Sequence, residues 1–219
     1  MTIAHRTELP ALRRLSALWR RLARNPFSDR IDWKYDADTG GTIQMDELEI
    51  DSPNAAHANC YRGTLGWVIR LFLKELPVAH RDFAFVDFGS GKGRALLVAS
   101  EFDFPDIIGV EFCPQLHEIA LRNIERLPED RRRNGRVQSL LQDVTAYDLP
   151  PRNLVCYLYN PFRPPLLDQA IARIAAHGRA GFQVYAVYIN PKHRDAFERG
   201  GVFEPIFEHK KGVTYRYRG

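Results

Sequence analysis

The chain has 219 residues, of which 45% are hydrophobic, with three cysteines and a formal charge of +4. That is enough to bury one substantial core and unlike a disordered, collagenous or disulfide-framed composition. No apolar run reaches the roughly 18 residues of a membrane span. Cys60, Cys113 and Cys156 form no CxxC pair and the histidines lack ligand spacing, so the expectation is reduced thiols, a cytoplasmic setting and no metal.

Residues 1–30 hold seven arginines against Glu8 and Asp29, which leaves the remainder about neutral. Leu12, Leu15, Leu18, Trp19 and Leu22 recur at helical spacing between those arginines, predicting a basic amphipathic arm over 1–30 ahead of a domain over 31–219. Its segment 10–24 suits an anionic membrane or a nucleic acid, and equally a helix folded back over the body of the protein. Residues 31–57 carry the opposite sign. Asp32, Asp36, Asp38, Asp46, Glu47, Glu49 and Asp51 face only Lys34, which reads as a flap for a cationic acceptor or as a solvated loop partnering the arm. From Tyr61 the pattern turns helical: Leu65, Val68, Ile69, Phe72, Leu73 and Leu76 mark one packing face, and Pro77 ends it.

The run Phe85-Val86-Asp87-Phe88-Gly89-Ser90-Gly91-Lys92-Gly93-Arg94 is a strand, 83–88, breaking into alternating glycines before a helix at 92–103. Such a turn lets the main chain approach a ligand and aims helix-opening amides at it. A dinucleotide fingerprint would place its third glycine at 94, where Arg94 stands. Next come strand 107–111 ending in Glu111, helix 114–127, strand 136–142 leading to Asp143, and strand 153–159 leading to Asn160-Pro161-Phe162. Helix 165–176, strand 182–189 ending at Asn190-Pro191, and helix 191–199 follow. Val202–Glu208 and Val213–Tyr217 flank the turn Lys210-Lys211-Gly212 as a hairpin. The fold class expected is α/β: a Rossmann-like, seven-stranded, mostly parallel sheet with a C-terminal antiparallel hairpin and helices on both faces.

The Asp-x-Gly-Ser-Gly-Lys-Gly-Arg run, with Ile-Gly-Val-Glu-Phe and Tyr-Asn-Pro-Phe after it, resembles the motifs of bacterial class I S-adenosylmethionine-dependent methyltransferases. The resemblance implies S-adenosyl-L-methionine as cofactor, cradled by Gly89, Ser90, Gly91 and Gly93. Asp87 and Glu111 would suit its cationic amine and sulfonium and its ribose hydroxyls, while Asp143 would take the adenine amino group and the Val144 amide would meet the ring. Tyr61, at the start of a helix, would cover the methionine end, and Lys92 would be solvated or face a carboxylate. Asn160, Pro161 and Phe162 would form the acceptor motif, with an asparagine amide oxygen holding an amine's hydrogens and Phe162 packing on the acceptor. Asn190 would line the same pocket or merely precede a helix-starting proline.

Enzymes that methylate planar amines usually show Asn-Pro-Pro-Tyr, where this chain has Phe162 and Arg163, and the Asn-Phe pairing is also similar to lysine methyltransferases without a SET domain. The implied activity is methyl transfer to an amine-type acceptor, a protein lysine first, with a small molecule or nucleic acid as alternatives. Two readings of other classes stand beside it: a nicotinamide-dependent oxidoreductase, and a non-catalytic cofactor-binding module working through the basic arm.

Overall fold

In a computed structural model of the chain, residues 30–50, 52–132 and 136–219 are described; the basic arm, apart from Arg30, and Asp51 of the acidic segment lie outside them. Seven strands form one sheet in the order β5-β4-β3-β6-β7-β9-β8. They are β3 (Phe83–Phe88), β4 (Ile107–Glu111), β5 (Val137–Leu141), β6 (Asn153–Tyr159), β7 (Val184–Ile189), β8 (Phe203–His209) and β9 (Gly212–Tyr217). β3 to β7 pair in parallel, and β9 inserts antiparallel between β7 and β8. From β3 the chain runs outward through β4 to β5, then returns to place β6 on the other side of β3. That reversal opens a crevice at the carboxyl ends of β3 and β6, where open α/β sheets bind ligands.

Burial on both faces explains why the central strands read as unbroken apolar runs. In β6, Val155 and Tyr157 enter one core while Leu154, Cys156 and Leu158 enter the other, as the two-residue period of a strand requires. The first core is closed by α2 (Gly66–Lys74), α3 (Arg94–Ala99) and α4 (Pro114–Glu125), the second by α6 (Leu166–Arg179) and α7 (Asp195–Glu198). Two short helices, α1 (Arg30–Lys34) and α5 (Glu129–Arg132), complete the set among the described residues. α2 buries Val68, Ile69, Phe72 and Leu73, the face its periodicity marked.

Several boundaries differ from expectation for local reasons. The helix expected from 92 begins only at Arg94, because Gly91 and Gly93 hold left-handed backbone (φ 54° and 79°) that no helix contains. The helix expected over 191–199 shrinks to Asp195–Glu198, and Pro191 falls in the turn before it.

The acidic segment is more ordered than a solvated loop. Thr42–Ile43 (β1) pairs antiparallel with Tyr61–Arg62 (β2), with 3-10 turns at Met45–Glu47 and Pro53–His57 between them. The second turn starts on Ser52, whose hydroxyl accepts from the Asn54 amide. Tyr61 therefore stands on a strand, ahead of the helix it was expected to open.

Candidate active site

The residues that follow β3, β4, β6 and β7 meet the segment from Met45 to Thr64 around one cavity of about 1050 Å³, its open mouth included. Asp87, Gly89, Ser90, Gly91, Glu111, Tyr61, Asn160, Pro161, Phe162 and Asn190 all line it. Asp143 and Val144 do not; they line a small second cavity that shares Gly89, Phe112 and Phe162 with the first. Gly93 sits behind the turn as the N-cap of α3.

The glycine turn is shaped by the protein's own packing. A Cβ on Gly91 would lie 2.3 Å from the ring of Tyr61, and one on Gly89 would lie 2.8 Å from Pro161 Cβ. Gly91 must be glycine twice over, for its positive φ and for the tyrosine laid across it. Tyr61 is fixed there by its hydroxyl, which donates to Thr39 O at 2.8 Å. Burial raises its pKa, so it stays a neutral donor.

Two acids stand at the floor. Glu111 ends β4 and accepts from the Gly91 amide at 2.7 Å and, on its other oxygen, from the Cys113 amide at 2.9 Å, which ties the second strand end to the glycine turn. Burial nevertheless raises its pKa, and these amide bonds only partly oppose that. Asp87 is buried, 4% exposed, and its carboxylate makes no hydrogen bond among the described residues. Burial first, and the neighbouring charge of Glu111 second, push it well above the usual carboxylate range. A buried acid left without a partner and facing a cavity is a place for a cation or a donor to arrive.

The strand ends opposite carry the two asparagines. Asn160 and Asn190 both adopt left-handed backbone, φ 41° and 50°, which asparagine tolerates better than other residues with a Cβ. Asn160 is buried, and its Oδ1 accepts from the Tyr188 hydroxyl at 3.3 Å. Burial pushes that hydroxyl's pKa up to about 12, so the bond persists across the neutral range. The Asn160 carbonyl accepts from Asn59 Nδ2 at 2.8 Å, and Asn59 N donates to Pro161 O at 2.9 Å, so residues 58–59 are stitched along the motif. Phe162, 2% exposed, packs beneath Gly89 between the two cavities.

Asp143 is already engaged: Thr145 N and Oγ1 bond one oxygen at 2.9 and 2.7 Å, and Asn54 Nδ2 and Ser52 Oγ bond the other at 2.8 and 3.2 Å. These bonds outweigh its partial burial and lower its pKa.

Sequence reasoning missed the residues that hold the roof on. Arg94 is buried and pairs with buried Asp32 at 3.3 Å, while its Nε donates to Thr39 Oγ1 at 2.8 Å and its Nη1 to Thr64 O at 3.3 Å. Thr39 in turn donates to Asp32 from both its amide and its hydroxyl. Lys92, expected solvated or facing a carboxylate, is buried, with Nζ 3.2 Å from Asp38 and from Gly40 O and 5.4 Å from the centre of the Tyr61 ring. The alternation of Lys92 and Arg94 with the glycines is the one local signal: the same turn that faces the cavity sends two cations back into the acidic segment. Cys156 is a buried core residue with a free thiol. Among the described residues no group of three or more His, Cys, Asp or Glu is placed to hold a metal, and no helix is long and apolar enough to cross a membrane.

No family model matches the sequence, and no curated protein matches it. Solved structures match its fold. A structure assigned as a methylase from Haemophilus influenzae is 15% identical, aligned over 70% of this chain and 99% of its own with a TM-score of 0.51. A SAM-dependent O-methyltransferase from Thermotoga maritima is 11% identical over 71% of this chain and 66% of its own, also with a TM-score of 0.51. At such identities the likeness is one of architecture: the chain shares the Rossmann-like fold of these structures, and its own sheet closes with an antiparallel C-terminal hairpin.

Proposed function

We propose that this chain is an S-adenosyl-L-methionine-dependent methyltransferase whose acceptor is an amine-type nitrogen held at Asn160. The observation that carries the reading is Asp87, a buried carboxylate with no hydrogen bond among the described residues, set beside the glycine turn and Glu111 on the floor of the cavity. That donor set fits a ligand with cationic groups and free hydroxyls. Asp87 supplies the anionic partner, and Glu111 keeps acceptor capacity beyond its two amide bonds for hydroxyl protons. Gly89, Ser90 and Gly91 form the turn against which such a ligand lies, with Gly93 behind them opening the helix, Tyr61 covers it, and Asp143 and the Val144 amide serve the adjoining cavity. The methylase and the SAM-dependent O-methyltransferase of similar fold agree with this reading. A dinucleotide reading needs a small residue at 94, and Arg94 is committed to Asp32.

Bound there, S-adenosyl-L-methionine supplies a sulfonium-activated methyl group, transferred as the C–S bonding pair returns to sulfur. The chain's part is placement. Tyr188 donates to Asn160 Oδ1 and fixes the amide, whose oxygen keeps a lone pair for an acceptor N–H. The acceptor nitrogen then presents its lone pair to the methyl carbon, and its surplus proton leaves to water at the mouth. Orientation of this kind is worth about 7–11 kcal/mol, so no dedicated base is required. A lysine, a small-molecule amine and a nucleobase amino group all present such a nitrogen.

Calorimetry against S-adenosyl-L-methionine and NAD tests the cofactor, and tight binding of NAD alone would overturn the reading. Asn160→Gly tests the acceptor site, because glycine accepts φ 41° and removes only the amide. Transfer of tritiated methyl groups should fall about 100-fold or more with cofactor affinity retained, and undiminished transfer refutes the assignment.

A further inference from the structure

The charge around the acceptor end of the cavity differs from that at its floor. Its acids are Asp87 and Glu111, near the ends of β3 and β4, whereas the cations Arg62 and Lys192 line it from other segments: Lys192 stands two residues past Asn190, and Arg62 three past Asn59, which bonds the Asn160 carbonyl. Both are exposed and make no ion pair among the described residues. The acidic segment does not offset them inside. Met45, Leu48 and Ile50 face the cavity, while Asp46, Glu47 and Glu49 are exposed on its outer side. Glu47 is already bonded to its own Gln44 amide.

The basic lip continues past the cavity. Asn190 N donates to Lys211 O at 2.8 Å, which brings the β8–β9 turn, with exposed Lys210 and Lys211, against the strand end that carries Asn190. Two carboxylates of the adjoining elements are engaged elsewhere: Glu208 of β8 with Arg194 at 3.1 Å and Asp195 of α7 with Arg199 at 3.7 Å. His209 opens that turn, and the indole of Trp67, 47% exposed at the start of α2, meets its ring edge-on with centroids 6.2 Å apart. Arg62, five residues before Trp67, returns the path to the cavity. An exposed aromatic face among unpaired cations is the pattern that stacks bases and tracks phosphates along a single strand.

From this lip the geometry points to a single-stranded polynucleotide as the methyl acceptor, its phosphates on Arg62, Lys192, Lys210 and Lys211 and a base on Trp67. The inference rests on the methyltransferase reading above and narrows its acceptor. A lysine ammonium would have to pass Arg62 and Lys192, whereas a nucleobase amine is neutral and arrives on a polyanion. A small anion would need only the two cations lining the cavity and would leave Trp67 and the turn lysines unused. Asn160, 7% exposed at the base of the cavity, lies too deep for a base still stacked in a duplex. The strongly basic stretch before residue 30 has the same sign.

The test is fluorescence anisotropy of the full chain with labelled ribo- and deoxyribo-oligonucleotides of mixed sequence, single-stranded and duplex, at two salt concentrations. Four phosphate contacts at single-strand slope predict a fall of up to about 50-fold for a fourfold rise in salt. Because the basic arm adds its own non-specific term, the deciding comparison is Lys210→Glu/Lys211→Glu. Both positions lie in an exposed hairpin turn, and the variant should bind single strands at least ~10-fold more weakly. Trp67→Ala should weaken them by roughly 5- to 100-fold with an unchanged salt slope. Calorimetry with S-adenosyl-L-methionine should be unaltered in both variants, and tritiated methyl should enter a single-stranded oligonucleotide with raised KM in the charge-reversed protein. The ribo and deoxyribo arms show which strand is the substrate. Unchanged oligonucleotide affinity in both variants, equal affinity for duplex, or methyl incorporation into a lysine peptide instead would overturn the inference. If the cofactor binds normally in those cases, the acceptor class alone has failed; if it does not bind at all, the methyltransferase reading has failed.

Discussion

Asp87→Asn should move stability and cofactor affinity in opposite directions. The side chain is 4% exposed, unbonded among the described residues and close enough to Glu111 to feel its charge, and burial is the larger cause of its raised pKa. An unfolded aspartate titrates near 4, and the folded one well above that, so between the two values the native state holds a proton that the unfolded state has lost. Wild-type stability therefore falls as pH rises through this window and levels off above the folded value. Each unit of displacement costs the ligand-free fold about 1.4 kcal/mol on that upper plateau. The near-isosteric amide escapes the cost, so Asp87→Asn should gain about 1–3 kcal/mol on that plateau and close to nothing near pH ~4. The same change removes the partner of a buried cation, worth about 2–5 kcal/mol, or about 30-fold to several-thousand-fold in Kd for S-adenosyl-L-methionine. Affinity in the wild type should also tighten with rising pH, as Asp87 gives up its proton, and the variant should lose that dependence. Thermal melts across pH and calorimetry read both quantities. A variant that melts lower than wild type on the upper plateau while binding the cofactor as tightly would refute the account of Asp87 as an uncompensated buried charge.

Gly91→Ala should cost about 2–3 kcal/mol in chemical denaturation, from the left-handed φ and from displacing the Tyr61 ring and its bond to Thr39. Adding Tyr61→Ala should recover part of the loss; strictly additive losses would mean that the ring is not what Gly91 makes room for. Arg94→Met leaves Asp32 buried without its guanidinium and should cost about 3–5 kcal/mol, more than the double change Asp32→Leu/Arg94→Met, and the reverse order would argue against a coupled pair. Burial alone would raise the Glu101 pKa, but bonds from Arg70, Lys34 and Tyr35 outweigh it and hold the group at about 2. The stability this supplies is present above its ordinary value of 4.5 and lost as pH falls toward 2, so the advantage of wild type over Glu101→Gln should shrink over that interval in acid titrations.

The legible parts of the fold were those where one strand or helix writes its own pattern. β3, β4 and β6 were expected over 83–88, 107–111 and 153–159 and occupy those residues, because strands buried on both faces leave continuous apolar runs bounded by glycine, proline or acids. α2 was marked by its apolar face. The acidic segment was not legible. Asp32 is buried against Arg94, 62 residues on, and Asp38 lies against Lys92, 54 residues on, and a pairing across that distance leaves no periodicity near either partner. A count of acids suggested a flap for a cationic acceptor or a solvated loop, yet those at 32 and 38 fasten the segment to the glycine turn while those at 46, 47 and 49 face outward.

The candidate site shows a second limit of sequence reading, in which one residue meets two demands at once. Asn160 and Asn190 end adjacent parallel strands in left-handed backbone, so a turn alone accounts for asparagine at both places. What separates them is the surroundings. Asn160 is buried, its Oδ1 oriented by Tyr188 and its carbonyl held by Asn59, while Asn190 is exposed and its backbone is tied to the β8–β9 turn. A residue needed only for its φ has no use for a tyrosine fixing its side-chain oxygen, and burying that oxygen costs free energy that a glycine would avoid. On the function proposed above, the bond from Tyr188 is thus what favours Asn160 over Asn190 as the acceptor-facing group, and it arises from β7, a strand 28 residues further along the chain.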